Sequence, residues 1–222
     1  MMGFDLVFGS SVERGPRNRR IYLTFDDGPN ERATPAILAT LAGSRVPAAF
    51  FVVGDHVRRF PELARSAVNE GHMVGNHTHN HVKLTFAGRQ RVRHQLEVAH
   101  AAIEWATGRT PRAFRAPHGY RSPFLRSAAR ELGYTVFGWT FGVFDTARPG
   151  VDEIRRRVRK LLRPGAIVLL HDGDGYDPEG DRTQTADAIP GVIQDARDEG
   201  YDFGDLSELL NGGDMQKLGS SR

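Results

Sequence analysis

The sequence predicts an α/β protein, a parallel barrel built from about seven βα units and possessing one active rim. Three observations carry that prediction. Short β-rich runs alternate with helical patterns almost from end to end. The run AIVLL at residues 166–170 is uniformly apolar, as expected of a parallel strand buried on both faces. The polar clusters fall just after strands, which in such a barrel is the face that carries chemistry.

In order, residues 21–25 read as a strand and 34–41 as a helix. Residues 48–53 form the second strand, followed by a helix over 61–70 that Gly71 stops. Residues 73–75 are a short strand, and a long helix spans 89–106. Residues 113–114 are extended, 122–132 are helical up to Gly133, and 134–139 form one strand. A basic helix around Arg155–Lys160 ends at Arg163-Pro164-Gly165, and the apolar strand 166–170 follows. A helix over 185–199 and the extended residues 201–203 close the series. The chain divides into an N-terminal extension (1–19), one domain (20–210) and a Gly/Ser-rich tail (211–222) expected to be disordered.

At 222 residues with 39% hydrophobic and 26% charged side chains, one globular core is expected. No run approaches the roughly 20 apolar residues that span a bilayer. The first residues lack the basic start and long apolar stretch of a secretory signal. The expected location is cytoplasmic for the chain as it stands, or extracytoplasmic for a trimmed form. The absence of cysteine excludes disulfides and thiolate ligands. The net charge of +3 raises nucleic acid as a partner. The densest basic run, however, belongs to a helix whose apolar face holds Val151, Ile154, Val158 and Leu161, so its charges face water, and no nucleic-acid partner is expected.

Asp26-Asp27-Gly28 follows the first strand, His77-Thr78-His79-Asn80-His81 the third and Arg115 the fourth. Asp145 lies beyond residues 134–139, and His171-Asp172 follows the apolar strand. His77, His81 and one carboxylate of the aspartate pair form a two-imidazole, one-oxygen set suited to zinc or a similar divalent ion. A single histidine would be an ordinary structural residue, but three within five residues beside a turn are not. His79 is expected to point away. Two adjacent carboxylates at a barrel mouth repel unless a cation takes one, which leaves the other as a general base. Arg115 can pair with that base, and His171 is placed to protonate a leaving amine. Tyr120, Trp139, Phe141 and Phe144 are candidates for contacting substrate, with ordinary packing the alternative for each.

The motifs TFDDGPN (24–30), PAAFFVVG (47–54), EGHMVGNH (70–77), the H-T-x-x-H stretch at 77–81 and LLHD (169–172) resemble the polysaccharide deacetylases of carbohydrate esterase family four, the NodB-homology domain. The resemblance runs from about residue 20 to about residue 210. It implies a distorted (β/α) barrel with about seven parallel strands. It also implies one divalent metal (zinc, or cobalt or nickel) and an N-acetylated oligo- or polysaccharide as substrate. Carried over, it makes Asp26 the base and Asp27, His77 and His81 the metal ligands. Arg115 becomes the residue that orients the base, His171 the general acid, and Asp145 its tuning carboxylate. The backbone N–H of His118 would meet the oxyanion. Two motifs depart from the family pattern. His118 stands where the family has tyrosine, and Thr146 where it has tryptophan. These departures bear on the glycan rather than the reaction. They keep in view a hydrolase of another acetylated substrate (acetylxylan or a small amide) and, less favoured, a carbohydrate-binding domain without turnover.

Overall fold

The computed structural model describes residues 10–210, so the tail at 211–222 and the first nine residues lie outside it. Eight strands and seven α-helices alternate along these residues. Strand β1 (Arg20–Asp26) leads to α1 (Ala33–Ser44), and β2 (Ala48–Val52) to α2 (Gly54–Arg59) and α3 (Pro61–Asn69). Next come β3 (Met73–Asn76), α4 (Arg89–Thr107), β4 (Ala113–Arg115) and α5 (Leu125–Glu131). The chain continues with β5 (Thr135–Phe137), β6 (Phe141–Gly142), α6 (Val151–Leu161), β7 (Ile167–His171), α7 (Thr183–Asp198) and β8 (Asp202–Phe203). The strands follow the order β5-β4-β3-β2-β1-β7-β6, with β8 against the start of β1, and every pairing is parallel. The sheet curls into a distorted (β/α) barrel. Strands β5 and β6 do not pair with each other. Near that seam Val12 bridges Phe137 and Arg14 bridges Ala166.

Two layers of side chains follow from the alternation of a strand. On β1, Ile21, Leu23 and Phe25 face outward and share a core with Ile37, Leu41, Val168, Leu170, Ile189 and Val192. Tyr22 faces inward with Ala49, Phe51, Ala113, Phe137 and Ile167. The same period then carries Thr24 and Asp26 inward at the top of β1, Arg115 at the top of β4 and His171 at the top of β7. Gly75 sits in the inner layer because a Cβ there would lie 2.8 Å from the Phe51 ring.

Two elements differ from the sequence expectation. Residues 134–139 do not make one strand. The chain leaves β4 after Phe137 and joins β7 at Phe141, through Gly138, where a Cβ would meet Glu13 at 2.8 Å. The helix α2 is an addition, six residues being too few for a periodic signal. The basic helix α6 shows the expected orientation, with Ile154 and Val158 buried and its arginines paired to Glu153, Asp195 and Glu199. Among the described residues no helix is long and apolar enough to cross a membrane.

Leu170, fully buried between β1 and the outer helices, supplies a direct check on this layering. Leu170→Ala is expected to cost about 2–5 kcal/mol, measured by urea denaturation. Phe86→Ala, at a site 99% exposed, is expected to leave the midpoint almost unchanged.

Candidate active site

Asp26 ends β1 and Asp27 follows it; both are buried, and their shortest contacts go to different partners, with His77 Nε2 also 3.7 Å from Asp26 Oδ2. Asp26 Oδ1 accepts from Arg115 Nη1 at 2.6 Å. Arg115 is wholly buried and also donates to Thr24 Oγ1 (2.8 Å) and to the Gly138 carbonyl (2.8 Å). Its guanidinium lies over the Phe51 ring, 4.1 Å from the centroid.

Asp27 turns the other way, through a backbone with φ 77°. Its Oδ1 lies 3.3 Å from His77 Nε2 and 3.0 Å from His81 Nε2. These three ligand atoms all fall within 4.8 Å of one another, and all three residues are buried. The His77 ring is oriented by its Nδ1–H, which donates to the Arg115 carbonyl at 2.8 Å. Neutral His77 therefore presents a lone pair at Nε2. A lone pair facing a carboxylate oxygen is repulsive, and Asp27 Oδ1 has no hydrogen-bond donor of its own. A cation between them removes both defects, so the donor set fits a divalent metal.

Across the mouth, His171 Nδ1–H donates to Asp145 Oδ1 at 2.9 Å. The His171 backbone N–H (2.8 Å) and Thr185 Oγ1 (2.9 Å) both donate to Asp145 Oδ2. Burial alone would lower the His171 imidazole, yet Asp145 outweighs it and lifts it to about 9. His171 Nε2 is left free of this pairing.

The loop residues bend sharply to reach these positions. Thr78, His81 and His118 join Asp27 among the non-glycine residues of left-handed backbone. At His118, the N–H groups of Gly119 and Tyr120 close the turn onto Ala116 and Pro117, leaving the His118 N–H outside its hydrogen bonding.

Of the predicted aromatic residues, Tyr120 and Phe144 are exposed, and Trp139 packs beside Arg115 inside the mouth. Phe141 corrects the expectation. It is buried in the outer core because β6 turns it toward the helices, where no sugar can reach. His79 points away, to Asp55 at 3.2 Å.

Three contributors were not assigned a role from sequence. His56 donates from Nδ1 to the Asp27 carbonyl at 2.8 Å. Asp172 is fully buried beneath the aspartate loop, its N–H on the Asp26 carbonyl (3.1 Å) and its Oδ2 accepting from Thr34 at 2.6 Å. Burial, with Asp27 and Asp26 nearby, pushes its carboxyl up to about 7 despite that hydrogen bond. A Cβ on Gly28 would lie 2.1 Å from Asp172 Oδ2, which is why the aspartate pair is followed by glycine. Tyr176 is the third. Its ring stands edge-on to His81 at 4.9 Å, and its hydroxyl is 3.0 Å from His118 Nε2. The His171-Asp172 dipeptide was a usable signal for Asp172. No sequence signal marked Tyr176.

A parallel α/β barrel with a buried Asp–His–His cluster, an Arg-paired carboxylate and an Asp–His pair at its strand ends defines a hydrolase-like scaffold. A protein-family model described as polysaccharide deacetylase matches residues 13–137, more than half of the chain, and the chain belongs to that family. It is 40% identical over 200 residues to a chitooligosaccharide deacetylase of Bradyrhizobium sp. (strain ANU 289), covering 86% of this chain and 90% of the relative. It is 36% identical over 199 residues to a peptidoglycan-N-acetylglucosamine deacetylase of Bacillus cereus, covering 88% and 90%. Among solved structures, a family-four carbohydrate esterase pseudoenzyme from Bacillus anthracis superposes with a TM-score of 0.82 at 28% identity. That match covers 91% of this chain and 69% of the other.

The Asp145–His171 pair can be titrated directly. The folded value of about 9 lies above the 6.5 of a free imidazole. The pair therefore stabilises the fold fully below about pH 6.5 and loses that contribution as pH rises through about 9. Asp145→Asn is expected to move the His171 NMR titration midpoint to lower pH. A midpoint left near 9 would show that another group sets it.

Proposed function

We propose that this chain is a metal-dependent deacetylase that hydrolyses the N-acetyl groups of N-acetylglucosamine-containing glycans, releasing acetate and a free amine. The observation that carries the reading is the separation of the two adjacent aspartates, one on Arg115 and one on the imidazole pair. That division supports different roles for neighbouring carboxylates. The names of the relatives support an amino-sugar substrate, chitooligosaccharide or peptidoglycan.

Asp27, His77 and His81 would hold one divalent ion, zinc with cobalt or nickel also suited to the donor set. When bound, such an ion supplies Lewis acidity to the acetyl carbonyl and makes a nearby water more acidic. Asp26 takes the proton of the attacking water as the new C–O bond forms, Arg115 fixing its orientation. The His118 N–H faces the oxygen that gains charge. His171, protonated and held by Asp145, gives its proton to the amide nitrogen as the C–N bond breaks. Acetate and the amino sugar leave, and Asp26 and His171 re-equilibrate with water.

Because a pseudoenzyme shares this fold, the fold alone does not argue for turnover. The joint presence of base, ligands and acid does, and it weighs against a binding-only domain. The altered positions His118 and Thr146 leave acetylxylan or a small amide as the second reading.

Acetate release is measured on N-acetyl chitooligosaccharides, peptidoglycan and acetylxylan with metal supplied. Release from the first or second supports the reading, release only from acetylxylan favours the second, and none from any panel member rejects both. Within an active protein, Asp27→Ala is expected to purify with little metal and to need high added zinc or cobalt. Asp26→Asn keeps an acceptor for Arg115, so it should hold metal and substrate while kcat falls by roughly a thousandfold or more, without rescue by metal. Metal loss in Asp26→Asn with retention in Asp27→Ala would reverse the assignments.

A further inference from the structure

Beside the imidazole pair lies an open groove of about 370 Å³, lined by Val82, Lys83, Phe86, Ala87, Arg91 and Tyr176. We propose that it is a subsite for a carboxylate-bearing amino-sugar residue, so that this chain binds an acidic, peptidoglycan-type glycan in preference to a neutral, chitin-type one. The proposal rests on the deacetylase reading above and names the substrate class within it.

The groove continues the reaction site. Its first residue follows His81 in the chain, and its far wall, Tyr176, touches both His81 and His118. The loop bearing Tyr176 is firmly held. Asn30 Nδ2 donates to the Pro178 (2.9 Å) and Gly180 (3.1 Å) carbonyls, while its Oδ1 accepts the Ala33 N–H at the start of α1. Arg182 adds a bond to Asp174 at 2.7 Å. A glycan whose acetyl group reaches the aspartates therefore runs its neighbouring sugar past a fixed ring.

Two features of the lining identify that neighbour. Phe86 is 99% exposed and Tyr176 65%. Paired exposed aromatics bordering one groove make a platform for the C–H face of a pyranose ring. The second feature is charge. Lys83 and Arg91 are both exposed, and among the described residues neither has a carboxylate within 4.0 Å, the Lys83 ammonium lying instead 5.8 Å from the Tyr120 ring centroid. Arg93, two positions along the same helix, binds Glu97 at 2.6 Å. No acidic side chain lines the groove. A neutral sugar needs stacking and hydrogen bonds but no pair of cations that lack a carboxylate partner. A free lactyl carboxylate on every second sugar, as in peptidoglycan glycan strands freed of their peptides, supplies their partner.

The test uses the full chain loaded with zinc. Calorimetry compares a peptidoglycan tetrasaccharide, carrying two lactyl carboxylates, with chitotetraose. The acidic tetrasaccharide is expected to bind roughly tenfold tighter at low ionic strength, the advantage shrinking at about 0.5 M salt. The double variant Lys83→Gln, Arg91→Gln should lose that advantage while keeping its affinity for chitotetraose and its rate of acetate release from it. Phe86→Ala should weaken both ligands alike. Equal affinity of the parent protein for the two ligands overturns the proposal. So does a double variant that retains the preference, or one that weakens both ligands equally. Discrimination without acetate release from either sugar would leave the subsite standing and count against the deacetylase reading alone.

Discussion

Two carboxylates on consecutive residues at the buried end of a central strand cannot share one environment, and much of this fold is arranged around keeping them apart. Asp26 follows the strand alternation inward and meets Arg115, a guanidinium with no exposure to water. Asp27 leaves the strand on a left-handed turn and meets two imidazole Nε2 atoms instead. Each negative charge thus has its own source of positive charge, one covalently part of the protein and the other a site that fits a metal ion. Removing either source leaves an uncompensated buried charge, which costs several kcal/mol or more in an interior of low polarity.

Arg115 connects the two halves. Its side chain holds Asp26, while its backbone carbonyl accepts the His77 Nδ1–H and so aims His77 Nε2 at Asp27. His56 performs the corresponding task from below, tying the Asp27 carbonyl. Asp172 and Thr34 sit under the same loop and require glycine at position 28. Rigid strand ends supply Asp26, Arg115 and His171, and the loops supply only what must bend, namely Asp27, His81 and His118.

The parts of this arrangement legible in the sequence are those set by short-range rules. Strand alternation places Asp26, Arg115 and His171 at inward-facing ends, and the spacing of His77 and His81 brings both imidazoles to one carboxylate. The remainder depends on where the chain turns. Residues 134–139 contain no turn signal beyond Gly138, so the switch of strand partner, and with it the burial of Phe141, is decided by the approach of Glu13 and by pairing to β7. The helix at Gly54–Arg59 is too short to show a period. Tyr176 reaches His81 on a loop that Asn30, 146 positions earlier, and Arg182 hold in place. Contacts of that kind have no local signature.

The central claim is that the Asp27–His77–His81 cluster is incomplete without a cation. Calorimetric titration of chelator-treated protein with zinc tests it most directly. The account predicts one saturable site per chain, tightening as pH rises because imidazole binds a metal only in its unprotonated form, and abolished in the His77→Ala, His81→Ala double variant. An absence of saturable binding, or binding that survives that double variant, would contradict it.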